Sequence, residues 1–142
     1  MILGFTGTRV GMTPAQRAAL RDDAVPLAAT LIHGGAPGSD EEFDAFMVAA
    51  GLPITAIEVY PTSDYRATMW RGDGSGRTVH PPMAPLVRNR IIVARCTRLL
   101  ATPITMIEIV RSGTWATIRY ARAAGKPVTI LRPDGTVIEE IK

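Results

Sequence analysis

Thr30-Leu31-Ile32-His33-Gly34-Gly35-Ala36-Pro37-Gly38-Ser39-Asp40 is the stretch on which the fold turns. A short apolar run stops at glycines, and beyond them Phe43, Phe46, Met47 and Ala50 recur at i, i+3, i+4 and i+7, the spacing of one helix face. Ser39 or Asp40 is placed to cap that helix at its start, and Gly51 to close it. Strand, glycine turn and helix in that order make the repeating unit of a parallel sheet, because parallel neighbours are joined by a crossover that is usually helical.

The same alternation runs to both ends of the chain. Upstream, Ile2 to Thr6 reads as a strand, and Thr13-Pro14-Ala15-Gln16 has the form of a capping box with proline at the first helical position, opening a helix that ends near Pro26. Downstream, Ile54 to Tyr60 is a third strand and Leu86 to Arg95 a helix. Arg98 to Thr102 is a strand, Gly113 to Ala124 a helix, Pro127 to Leu131 a strand and Val137 to Ile141 the last one. Residues 61–85 break the pattern with Gly72, Gly74, Gly76, Pro81, Pro82 and Pro85, and read as an irregular insertion serving as a lid or an oligomer contact. The expectation is one α/β domain over residues 1–142, a doubly wound, mostly parallel, Rossmann-like sheet with helices on both faces. Its five main strands should lie in the order 3-2-1-4-5. Ligands of such sheets bind where the strand order reverses, outside the carboxyl ends of the strands. Three loops should meet there: 6–11, 34–40 and 103–114.

Charge is divided unevenly. Residues 1–64 carry 3 basic and 8 acidic side chains, residues 65–142 carry 13 and 5, and the halves sum to the net charge of +3. Fourteen of the 16 basic residues are arginine, the side chain whose planar fork suits phosphate and carboxylate. Cys96 is the only cysteine, which excludes an intramolecular disulfide and points to a reducing, cytoplasmic setting. Met1-Ile2-Leu3-Gly4-Phe5-Thr6 lacks a secretory leader's basic and long apolar regions, and no run approaches eighteen apolar residues, so no membrane partner is expected. His33 and His80 are too few and too scattered for a metal site, and no cofactor is expected.

Three local patterns carry chemistry. Thr6, Gly7, Thr8 and Arg9, then Gly34, Gly35, Gly38 and Ser39, supply glycines and hydroxyls where backbone must approach a ligand closely. Arg111-Ser112-Gly113-Thr114, just before a helix, offers unclaimed N–H groups and a guanidinium, the chemistry of a phosphate cradle. In Arg88-Asn89-Arg90 the two arginines point about 200° apart on a helix, so one of them faces a ligand and the other does not. Asp40 and Glu41 are the carboxylates nearest the crevice, as first-turn acids or as catalytic groups. Tyr65 and Trp70, interleaved with Arg66, Arg71 and Arg77, have the composition of a base-stacking surface. Trp115 reads as core.

Taken in order, Gly4-Phe5-Thr6-Gly7-Thr8-Arg9, His33-Gly34-Gly35 with Gly38 and Asp40, Arg88-Asn89-Arg90 and Ser112-Gly113-Thr114-Trp115 resemble the SLOG superfamily of Rossmann-like domains over nearly the whole chain, most closely its small stand-alone members. The resemblance implies binding of a nucleotide or nucleotide-derived small molecule through its phosphate, as a sensor or sequestering protein, and a homo-oligomer. Other members hydrolyse the N-glycosidic bond of nucleoside 5′-monophosphates (phosphoribohydrolases) or process single-stranded DNA, and these are the two alternative functions. The hydrolases carry PGGxGTxxE. Here Gly113 and Thr114 match its GT pair and Thr117 stands in place of the glutamate, so hydrolysis would have to draw its carboxylate from Asp40 or Glu41.

Overall fold

The structure, a computed structural model, describes residues 1–21, 28–63 and 75–140. Its strands are β1 (Ile2–Gly7), β2 (Thr30–His33), β3 (Ile57–Val59), β4 (Thr78–Val79), β5 (Arg98–Thr102), β6 (Val128–Leu131) and β7 (Val137–Glu140). The helices are α1 (Pro14–Ala19), α2 (Ser39–Ala49), α3 (Pro85–Arg95) and α4 (Gly113–Ala123). One sheet contains every strand, in the order β4-β3-β2-β1-β5-β6-β7. All its pairings are parallel except β6 with β7. The five main strands therefore lie in the expected order, and the chain is Rossmann-like. Its switch point falls between β1 and β5, where Gly4 pairs with Leu99 and Thr6 with Ala101.

Residue alternation along the strands divides the core. Ile32, Leu99, Ala101 and Ile130 join the cluster with Ile92 and Val93 of α3 and Trp115 and Ile118 of α4. Leu31, Leu100 and Leu131 join the other, with Phe43 and Met47 of α2 and Met12 and Leu20 around α1. Neighbouring strand residues point to opposite faces, so each sheet face receives its own pair of helices. The Phe5 and Phe43 rings, 4.3 Å apart and within 7° of parallel, fasten α2 to β1 beside the switch point.

Several elements differ from the sequence reading. The third strand is shorter, because Ile54–Ala56 form a 3₁₀ turn ahead of Ile57–Val59. Within 61–85, Thr78–Val79 adds a two-residue parallel edge strand that no periodicity announces. Neither Ser39 nor Asp40 caps α2; Gly38 holds the N-cap position with no side-chain bond, its φ of 88° being one that side-chain-bearing residues rarely adopt. The α1 capping box is present in both directions. Among the described residues no helix is long and apolar enough to cross a membrane.

Candidate functional site

A cleft of about 310 Å³ opens at the switch point. It is lined by Thr6 and Gly7 at the end of β1 and Thr8 and Arg9 just beyond, by Gly34 and Ala36 after β2 and Asp40 in the first turn of α2, and by Ser112, Gly113 and Thr114 at the start of α4. The first turn of α3 closes one side with Pro85, Leu86, Arg88 and Asn89. All three expected loops converge here, together with a helix whose location the strand order alone did not fix.

Arg88 is held from three directions. Its Nε donates to Asn89 Oδ1 (2.7 Å), and its Nη1 donates to the carbonyls of Gly34 (3.2 Å) and Tyr60 (3.3 Å). That leaves the Nη2 donors without an acceptor among the described residues. The guanidinium lies directly on Gly34: a Cβ there would fall 1.9 Å from Nη1. Burial pushes the Arg88 pKa down, Asp40 opposes the change, and the second guanidinium of Arg9 adds to it. Two cations thus face one cleft against one carboxylate.

Asp40 is only 6% exposed. Its Oδ2 accepts from the Ala36 N–H (3.1 Å), so the carboxylate braces the glycine loop instead of capping the helix. Burial raises its pKa, and His33 and Arg88 pull the other way without prevailing. At the opposite wall, Ser112 caps α4 by accepting from the Trp115 N–H (3.2 Å). The Gly113 and Thr114 N–H groups, in the first turn, have no acceptor inside the helix, and both residues line the cleft.

Other named residues lie elsewhere, each for a local reason. Arg90 is on the far side of α3, its guanidinium 4.8 Å above the Tyr120 ring. Arg111 precedes the N-cap of α4 and is exposed outside the cleft. Glu41, one position past Asp40, is turned to the surface. Gly35 and Gly38 shape the turn without lining it. Ser39 is fully buried beneath Gly7, and its Oγ and Thr102 Oγ1 are sealed with no partner among the described residues. Thr117 is buried too, its hydroxyl donating to the Gly113 carbonyl (2.9 Å), so nothing acidic occupies the place of the hydrolases' glutamate. Tyr65, Arg66, Trp70 and Arg71 lie outside the described residues. Trp115 is core, donating from Nε1 to Thr105 Oγ1 (2.9 Å).

Two supports of the site escaped the sequence reading. Gln16 is buried, and besides its part in the capping box its Nε2 donates to the carbonyls of Pro103 (2.8 Å) and Leu131 (2.9 Å), tying α1 to the ends of β5 and β6. His33 takes the Gly35 N–H on Nδ1 (2.9 Å) and therefore presents Nε2–H to Asp44 Oδ2 (2.7 Å). Asp44 also receives Arg77 Nε (3.0 Å) and Nη2. No group of three or more His, Cys, Asp or Glu poised to hold a metal occurs among the described residues. Comparison of the chain with protein-family models, with curated proteins and with solved structures finds no match.

Proposed function

We propose that the chain binds a nucleotide or nucleotide-derived ligand through its phosphate in the switch-point cleft, as a sensor or sequestering protein. The observation that carries this reading is the convergence of Arg9, the two unclaimed Nη2 donors of Arg88 and the open N–H groups of Gly113 and Thr114 on one cleft. Guanidinium forks hold phosphates by charge-assisted bonds, and helix N-termini hold them by unpaired N–H groups and the helix dipole. The SLOG resemblance points to the same ligand class. Hydrolysis is the weaker reading, because the first turns of α4 bring no carboxylate to the phosphate and Asp40 alone would have to stabilise the developing oxocarbenium charge.

Thermal unfolding against ribonucleoside 5′-monophosphates and their parent nucleosides tests the proposal. A nucleotide present at a hundred times its Kd should raise Tm by about 10 °C, and its nucleoside should leave Tm in place. A panel in which no phosphate-bearing compound raises Tm above its nucleoside overturns it.

The proposal extends to a homo-oligomer closing over the cleft. Val10, Leu86, Val87, Ile107 and Val110 are 52–85% exposed, and all follow the end of β1 or β5 or open α3. With Ile104, Met106 and Ile109, which are 40–48% exposed, they make an apolar rim of the kind that marks interaction sites. Sedimentation at about 50 µM should give a dimer or larger species, with Kd in the range standard interfaces reach. The double substitution Ile107→Asp, Val110→Asp should give a monomer. A monomeric wild-type chain rules the second copy out.

A further inference from the structure

Asp40 gives the cleft a recognition element that a phosphate does not use. Its Oδ2 is engaged by the Ala36 N–H and the Gly34 N–H also acts on the carboxylate, whereas no bond of normal hydrogen-bond geometry among the described residues ends on Oδ1. Nor is Oδ1 one of the sealed polar atoms, which are Ser39 Oγ and Thr102 Oγ1. It opens on the cleft that Asp40 lines. An acceptor in so enclosed a place wants a donor, and the Arg88 guanidinium beside it disfavours a cationic one. A neutral hydroxyl suits both conditions.

Position narrows the choice further. Only β1 lies between β2, whose loop leads to Asp40 in the first turn of α2, and β5, whose loop leads to Gly113 and Thr114. Two strand spacings are roughly 10 Å. A ribose 5-phosphate, with one hydrogen bond at its phosphate and one at its 2′,3′-diol edge, spans about that distance. The base is then left beside Pro85 and Leu86 at the wall formed by α3.

We propose that Asp40 reads the ligand's sugar, its free carboxylate oxygen accepting from the ribose diol, so that the chain selects ribonucleotides over deoxygenated counterparts. This rests on the phosphate reading above. Titration calorimetry with ribonucleoside 5′-monophosphates and the matching 2′,3′-dideoxy monophosphates tests it on the unmodified chain. The ribo form should bind at least about tenfold more tightly, the usual worth of a hydrogen bond to a charged group. In Asp40→Asn the two forms should converge to within about threefold, since the carboxamide turns part of the acceptor into a donor. Equal binding of both forms by the wild-type chain overturns the sugar assignment and leaves the phosphate site standing. So does a ribose preference that survives in Asp40→Asn. Binding of neither form overturns the phosphate reading itself.

Discussion

Asp44→Ala is expected to destabilise the fold by about 3–5 kcal/mol, read from urea unfolding at neutral pH. The carboxylate is 2% exposed and accepts three hydrogen bonds, one from His33 and two from Arg77. Removing it takes two hydrogen bonds from a guanidinium that is itself only 10% exposed and takes this acceptor from the His33 Nε2–H. The loss reaches the cleft, because the same His33 ring holds the Gly35 N–H and hence the turn next to Gly34. Asp44→Asn should cost less, since it keeps the shape and one acceptor while losing the charge.

The pH dependence of that cost has a definite sign. Burial alone would raise the Asp44 pKa, but the hydrogen bonds from His33 and Arg77 outweigh it, and the folded value lies below the ordinary 3.8. A carboxylate depressed on folding contributes stability that is full above its unfolded pKa and is lost as pH falls through the folded one. The gap between wild type and Asp44→Ala should therefore be widest at neutral pH and close in acid. Asp40 runs the other way: its folded pKa is raised, so its contribution is present in acid and is lost as pH rises through that value. Asp40→Asn should accordingly gain relative stability on going from acid to neutral pH. A cost for Asp44→Ala below about 1 kcal/mol, or one unchanged well below pH 4, would show that the carboxylate does not carry this network.

How much of this the sequence discloses depends on the range of each interaction. The sheet order follows from apolar runs alternating with helical spacing, which are local signals, and the three cleft loops follow from the sheet order. That Arg88 and Arg90 diverge follows from helix geometry alone. Arg111 illustrates the limit: proximity to Gly113 placed it at the phosphate, yet Ser112 takes the N-cap, and the residue before a cap lies outside the helix's first turn. Gln16 shows only its local role in the sequence, because the carbonyls it also binds are 87 and 115 residues away. The Asp44 site joins β2, α2 and a residue of the 61–85 segment that carries no regular pattern. Charge is the clearest case. The arginine excess of the second half suggests a polyanion, yet Arg95, Arg98, Arg119 and Arg122 all bind carboxylates, of Glu58, Glu139, Glu108 and Glu140. Those pairs are formed by folding, and they shrink the basic surface that a single-stranded nucleic acid would need.

Gly34→Ala is expected to lower affinity for a ribonucleoside 5′-monophosphate about a hundredfold while leaving the unfolding midpoint near that of the wild type. The added methyl would sit 1.9 Å from Arg88 Nη1 and 2.7 Å from Cζ, distances no side chain tolerates. What must move most is the far end of a flexible arginine, while Asp40 Oδ2, 3.2 Å away, gives by a few tenths of an ångström, so the backbone holds and the guanidinium gives up its bonds to the Gly34 and Tyr60 carbonyls. The alanine also restricts the unfolded chain, which offsets part of any strain by up to about 1 kcal/mol. The ligand loses a fork that arrives oriented, and two charge-assisted bonds at once account for the size of the effect. A double-mutant cycle separates this route from a general disturbance of the turn. Arg88→Ala should show the same loss, and the pair Gly34→Ala, Arg88→Ala should be no worse than either alone, because both remove one interaction. Losses that multiply in the double variant would mean that Gly34 acts on the ligand through something other than Arg88.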